Sequence, residues 1–527
     1  MTQLLIKDLK FDQECRDTLI SGVKQLAKAV KSTLGVMGAN VLIESPQHTN
    51  SITVTKDGWT VAKSINLINP VEDMANRIVR EAAEKTATYA GDGTTTSIVI
   101  AEALILLGNE KIKEGINKTQ VLRYMTEICG DIIEELKAKS IPVTDDYLYN
   151  VATISANNDE NIGRLIADAY KSVGKSGIIS FNMSMTSETY SEVTNGLRID
   201  RGYASPLFIN NRVKDECIME DVHILVCDTE ISDIPQIEPV LKEIYPTGKK
   251  LLIIAPCSQN VLSVLVANAL TTDPTRKKLN VCVVNPPSFG FRQHELMEDI
   301  AVSIGATYFS QQTGDDLSHV TFNSLGYAKK VIIGKDKTEI IGSHGDDSVI
   351  KERVSQLVNS RELANKKEDK DFINERIASL SGGVGVIYVG GNTDLEQKEL
   401  YDRVDDAVRA VRSALEEGVL SGAGKALFEI EIDRTGNAEY EIAKDIVLNA
   451  IKVPLIQILD NAHMDYKTIY KNLPKGVGYN LKTGKVGNLV EMGVIDPLKV
   501  TRTALQNAVS VAVTILSTNA SVSITRA

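Results

Sequence analysis

No Cys-x-x-Cys pair occurs anywhere in the 527 residues. The six cysteines (Cys15, Cys129, Cys217, Cys227, Cys257 and Cys282) and the six histidines are dispersed, which argues against a zinc site and for free thiols in a reducing compartment. No apolar run approaches the roughly 18 residues needed to span a bilayer. Basic residues are outnumbered, 58 Lys and Arg against 69 Asp and Glu, and the net charge of −11 speaks against nucleic acid or an anionic membrane as the main partner. Aromatics are scarce at 5%, with Trp59 the single tryptophan. The common phosphate loop, Gly-x4-Gly-Lys-Ser/Thr, is missing. The first residues carry no basic region followed by an apolar run, so neither a signal peptide nor a transit segment is expected there and a cytoplasmic location is the expectation.

What is present is an ordinary globular composition, 43% hydrophobic and 24% charged, on a chain long enough for roughly three or four domains. The most informative stretch is Tyr89-Ala-Gly-Asp-Gly-Thr-Thr-Thr-Ser97. Upstream, Met74, Ile78, Val79, Ala82, Ala83 and Ala87 recur at helical spacing; downstream, Ser97 to Leu107 is nearly all apolar and reads as a buried helix. The first helix should end near Gly91 and the second begin at the threonines. A helix start offers free N–H groups and partial positive charge, glycines allow close approach, and Asp92 adds a hard oxygen ligand, so phosphates with Mg²⁺ fit here. Taken by itself, the stretch reads equally as a capped turn.

Residues 12–34 read as one helix ending in Thr33-Leu-Gly-Val-Met-Gly38, either a C-cap with a turn or a second anion loop. Asn40–Glu44 and Ser51–Thr55 read as a hairpin leading into Lys56-Asp57-Gly58, a routine turn in which Asp57 could also face a phosphate or its attacking water. A helix is expected over 118–140, another from Thr153 to about Val173, and a turn at Gly174–Gly177 before the strand from Ile178. From Gly196 to Gly383 short apolar strands alternate with helices, the texture of an α/β insert, and 351–380 reads as a charged helical hairpin.

Three motifs in order, Thr33-Leu34-Gly35, Thr55-Lys56-Asp57-Gly58 and Asp92-Gly93-Thr94-Thr95-Thr96, resemble the group I chaperonins, the GroEL family. Thr153–Glu160, Arg403-Val-Asp-Asp-Ala407 and Gly493-Val-Ile-Asp-Pro-Leu-Lys-Val-Thr-Arg502 extend the similarity over nearly the whole chain. The resemblance implies a multidomain α/β and α fold. A mostly helical, discontinuous equatorial ATP domain would occupy 1–141 and 419–527. A small intermediate domain would occupy 142–194 and 384–418, and an α/β apical domain 195–383, with Gly196 and Ser381-Gly-Gly383 as hinges.

It further implies ATP as the substrate, Mg²⁺ on Asp92, and admits K⁺. Nucleotide contacts fall to Thr33, Leu34, Gly35, Lys56, Asp92, Gly93, Thr94, Thr95, Thr96, Ser155, Gly422, Asn480 and Asp496. Asp406 and Asp57 would position the attacking water. Asp405 and Asp406 point about 100° apart on a helix, so only one of them can face the site. Unfolded polypeptide would bind an apical groove of Tyr203, Leu207, Phe208, Leu241, Leu262 and Val266, although from pattern alone the stripes there are ordinary core faces. A homo-oligomeric ring of about seven subunits, single or double, with a co-chaperonin lid, is the family expectation.

Several positions depart from the family pattern: Val36 for proline, Ala423 for glycine, Leu481 and Lys482 for small residues, Glu238 and Leu207 in the groove, and no Gly-Gly-Met tail. An ATP-driven folding chaperonin is therefore weighed against a divergent ring or scaffold with weak ATP cycling. A small-molecule ATP-using enzyme stands as a third reading, for which no phosphoryl-acceptor constellation is evident.

Overall fold

The computed structural model describes residues 7–44, 52–174, 178–212, 214–271, 278–315, 317–363, 366–470 and 473–524. The chain forms two compact units, Met1–Ala167 with Gly391–Ala527, and Asp168–Gly390. The expected turn at 174–177 lies, beyond Gly174, outside the described residues.

The first unit is a helical core built from both ends of the chain. In the helix Asp12–Lys31 the residues at apolar spacing, Leu19, Val23, Leu26, Ala27 and Val30, are all buried. The helix Thr94–Lys111, hereafter the threonine helix, buries Ile98, Val99, Ile100, Ala101, Leu104 and Ile105 without any polar stripe, as a helix surrounded on all sides must. It packs against Leu498–Ser517, Pro70–Ala90 and Asp12–Lys31. The first helix stops at Lys31, short of the expected residue 34, where a turn takes over, and the helix from Lys118 stops at Ala138.

A larger difference concerns Thr153–Glu160. Thr153 to Ser155 close the helix Asp145–Ser155, and a new helix opens at Glu160. Asn157 and Asn158 between them hold φ of 55° and 64°, left-handed backbone that no right-handed helix can carry through.

A two-stranded sheet joins the chain ends, Lys7–Phe11 antiparallel to Ala520–Ile524, and a hairpin pairs Val41–Glu44 with Ile52–Thr55. The terminal sheet buries Ser521 and Ser523 and exposes Leu9, Phe11, Val522 and Ile524, the reverse of the usual alternation.

The second unit contains a seven-stranded sheet. Its path runs Gly196–Ile199, Thr338–Ser343, Gly326–Ile333, Cys217–Cys227, Lys250–Ile254, Asn280–Val284, with Tyr308–Phe309 also on Cys217–Cys227. The first pairings are antiparallel and the last two parallel, and the strand core reads Ile224, Leu225, Leu252, Ile253, Val283. A three-stranded sheet sets Val384–Val389 between Ile178–Met183 and Tyr190–Thr194. The charged hairpin, Asp347–Leu363 and Lys367–Ser381, is fastened to the helix Gly290–Ile304. Arg353 reaches Glu298 at 2.7 Å and Asp299 at 2.8 Å, and Arg376 pairs with Asp299 and Glu295.

Candidate functional site

The site is built in the first unit, starting from the threonine loop. Pro70–Ala90 ends on Gly91 in the left-handed region, its N–H donating to the Ala87 carbonyl at 2.9 Å. Gly93, also left-handed, precedes the threonine helix. The first bond of that helix runs from the Ser97 N–H to the Gly93 carbonyl at 3.0 Å, so the N–H groups of Thr94, Thr95 and Thr96 point out of the helix start. Asp92 sits between the glycines and accepts from the Gly93 N–H at 2.5 Å and from the Ser155 hydroxyl at 3.1 Å. Burial raises its pKa, the two hydrogen bonds work against that, and Asp57 adds to it.

Asp57 caps the short helix Gly58–Ser64, accepting from the Trp59 N–H at 3.1 Å, the Thr60 N–H at 2.8 Å and the Thr60 hydroxyl at 2.7 Å. Its loop touches the threonine loop, since a Cβ on Gly58 would fall 1.9 Å from Thr95 Oγ1. Lys56, just before it, is half-buried. Gly35 has φ of 84° and Thr33 is buried with its hydroxyl on the Val30 carbonyl at 2.8 Å. Sequence reasoning missed Asn461, whose amide donates to the Lys31 and Leu34 carbonyls at 2.9 Å each. Ile458, one turn earlier, would lie 3.0 Å from a Cβ on Gly35. The loop that lacks a proline is thus held by a distant helix, Val453–Asn461.

The far end of the chain supplies the rest. Val419–Ser421 pairs antiparallel with Ile495–Pro497, placing Leu420 opposite Asp496. Asp496 accepts from the Gly424 N–H at 3.4 Å and from the Ala423 N–H. Burial pushes its pKa up to about 6, and the Asp92 charge adds to the rise. Ala423 holds φ of 56°, and Gly422 has no room for a side chain, a Cβ falling 2.8 Å from the Ile495 nitrogen. Asn480 spends its amide oxygen on the N–H groups of Lys482 at 2.9 Å and Thr483 at 3.3 Å. Lys482 pairs with Glu160 at 2.9 Å.

Asp406 comes from the helix Asp394–Glu417. Its neighbour Asp405 is ion-paired with Arg409 at 2.6 Å. Burial raises the pKa of Asp406 well above the usual carboxylate range, the charges of Asp57, Asp92 and Asp405 raise it further, and Arg409 opposes them. Three sequence-distant carboxylates, Asp57, Asp92 and Asp406, therefore share one electrostatic site. Among the described residues no three acidic, His or Cys side chains form a metal-holding group.

The family model described as TCP-1/cpn60 chaperonin family matches residues 26–525. The chain belongs to that family. It is an ATP-dependent chaperonin, an ATPase whose hydrolysis serves protein folding. Two solved structures of the chaperonin gp146 from the bacteriophage EL 2 (Pseudomonas aeruginosa), both in the presence of ATP-BeFx, are similar to it. Crystal form II is 26% identical with a TM-score of 0.68, and form I is 25% identical with a TM-score of 0.62. In both cases 98% of this chain and 99% of the other are covered.

The chaperonin groove candidates lie in the second unit. Ile234 and Ile237 fall on a single 3-10 turn, while Leu241 and Ile244 lie on the helix Glu238–Thr247. Phe208 and Val266 are buried in the sheet core, because their helices turn the apolar stripes onto the strands. Tyr203, Leu241 and Leu262 are half-buried against the same core, and only Leu207 is exposed, at 55%. Glu238 faces solvent and pairs with Lys242 at 3.1 Å. Phe289 and Phe291, from a stretch that also resembles the family's apical segment but is not among the groove candidates, are 80% and 71% exposed. Among the described residues no helix is long and apolar enough to cross a membrane.

Proposed function

We propose that this chaperonin hydrolyses ATP between the threonine loop, the Thr33–Gly35 loop and the Gly422/Asp496 pair, with Asp406 and Asp57 aligning the attacking water. The observation that carries the reading is the convergence of Asp57, Asp92 and Asp406, whose mutual repulsion is costly unless cationic or protonated groups occupy the space between them. The free N–H groups of Thr94 to Thr96 and the helix dipole face the phosphates, Lys56 adds positive charge, and Asp496 accepts from the ribose hydroxyls. Asn480 and Gly422 border the base and sugar. Ser155 holds Asp92 in place. Mg²⁺ on Asp92 would neutralise the phosphate charge, and K⁺ is a further ion this site would accept. Catalysis is then alignment and charge stabilisation rather than covalent chemistry.

Non-native polypeptide is the partner, held on apolar surface of the second unit. Leu207, Phe289 and Phe291 supply the exposed part; Tyr203, Leu241 and Leu262 lie at its margin, and Phe208 and Val266 support it from below. The exposed Glu238 and Leu207 set the terms on which a co-chaperonin lid would bind the same surface.

The chain assembles as a homo-oligomeric ring through the terminal sheet and the hairpin. The reversed polarity of the former (apolar outside, serine inside) and the exposure of Leu42, Ile52 and Val54 on the latter fit surfaces that a second copy covers. The dispersed, mostly buried thiols suit a cytoplasmic location.

Calorimetric titration with Mg-ATP, paired with steady-state phosphate release by the assembled protein, tests the reading. Binding with turnover supports it. Binding too weak to detect would make the chain a protein-binding scaffold on a chaperonin fold.

A further inference from the structure

The Asp406 helix is brought to the pocket against a repulsive field, so something must hold it there. It meets the C-terminus of Pro70–Ala90 at two points one turn apart. Ser413 donates its hydroxyl to the Ala90 carbonyl at 2.8 Å, satisfying a carbonyl that the end of that helix leaves without an intrahelical partner. One turn earlier Arg409 lies over Gly91. A Cβ on Gly91 would fall 2.1 Å from Arg409 Cβ and 3.1 Å from both Cγ and Cδ, so the aliphatic stem occupies a notch that only glycine leaves open. The other end of the same side chain is committed to the helix itself, Nε lying 2.6 Å from Asp405 Oδ1.

Arg409 stands three residues after Asp406 and four after Asp405, the spacings at which helical side chains are neighbours. We propose that Arg409 is a positioning residue for ATP hydrolysis: its stem keys the Asp406 helix into the notch at Gly91, and its guanidinium draws Asp405 aside, so that Asp406 faces Asp57 and Asp92. The charge of Arg409 also opposes the three like charges that surround Asp406. Arg409 thereby links the loop that presents Asp92 to the helix that presents Asp406, without needing to touch the nucleotide. The inference rests on the reading of Asp406 given above.

The test compares Arg409→Ala, Arg409→Lys, Gly91→Ala and Asp406→Ala in the full-length assembled protein, reading kcat and KM for ATP hydrolysis, the ATP Kd by calorimetry, and the Tm and assembled mass. Arg409→Ala should lower kcat by about 10- to 100-fold, the loss a small misplacement of a catalytic group produces. Its ATP Kd should stay within about threefold of wild type, and assembly should be retained. Arg409→Lys, which keeps a stem and a cation, should recover most of the turnover, and Gly91→Ala should resemble Arg409→Ala. Wild-type kcat in Arg409→Ala would overturn the proposal, as would a kcat loss tracking a loss of ATP binding or assembly. If Asp406→Ala itself turned over at the wild-type rate, the reading of Asp406 would fall, a result distinct from failure of the Arg409 variants alone.

Discussion

Ser155 donates to Asp92 across 3.1 Å, joining the end of one helix to the loop that opens another. Among the described residues two hydrogen bonds support Asp92 in that position, from Ser155 and from the Gly93 N–H, and burial favours its protonated form. Losing a hydrogen bond to a charged group costs about 1.5–3 kcal/mol. Ser155→Ala is therefore expected to weaken Mg-ATP binding by roughly tenfold or more in a calorimetric titration, while nucleotide binding measured in EDTA changes less. An equal loss with and without the metal would detach Ser155 from the Asp92 role.

Ala423 carries left-handed backbone that a side chain makes expensive, about 1–2 kcal/mol, part of which glycine would return through its freer unfolded chain. Ala423→Gly is expected to raise the Tm of the nucleotide-free protein slightly, a net gain of about 0.5–1 kcal/mol. Its N–H remains on Asp496, so nucleotide affinity should be kept or improved. A clear fall in Tm would show that the methyl group is packed to advantage.

The raised pKa of Asp496, about 6 against an unfolded value near 3.9, fixes a sign. The folded protein holds this proton more tightly than the unfolded chain. The carboxylate's contribution to stability is therefore neutral below about pH 4, turns unfavourable as pH rises toward about 6, and stays so above, at about 2–3 kcal/mol. Asp496→Asn is expected to stabilise the nucleotide-free protein at pH 7, to have little effect near pH 4, and to weaken ATP binding at both. Denaturant titrations at the two pH values check this; equal effects at both would contradict it.

Leu9 and Val522 face each other across the terminal sheet, and both are exposed in the single chain. If a second copy covers them, Leu9→Asp with Val522→Asp is expected to shift the assembled mass toward the monomer in sedimentation velocity without unfolding the helical core. Unchanged assembly would move the ring contact elsewhere.

Much of this was legible in the sequence because it depends on neighbours in the chain. The Gly91 and Gly93 punctuation located both helix ends at the threonine loop, and the all-apolar run after Ser97 marked a buried helix. The break between Ser155 and Glu160 was missed because it rests on two asparagines taking left-handed backbone, a choice that composition only permits. The apolar stripes around Leu241 and Val266 were visible as stripes, but periodicity records that a face is apolar and not whether a sheet covers it. Asp406 stood out from Asp405 only through family resemblance, and the residues that seat it, Arg409 and Ser413, gave no local signal. Asn461 is of the same kind: its partners lie at the other end of the chain, and nothing around it in sequence marks it.

The role proposed for Asp406 is to act on bound ATP. The most direct measurement is steady-state phosphate release by Asp406→Ala beside wild type, with ATP affinity measured on the same samples. Turnover that falls by orders of magnitude while ATP still binds is the predicted result; phosphate release at the wild-type rate would contradict it.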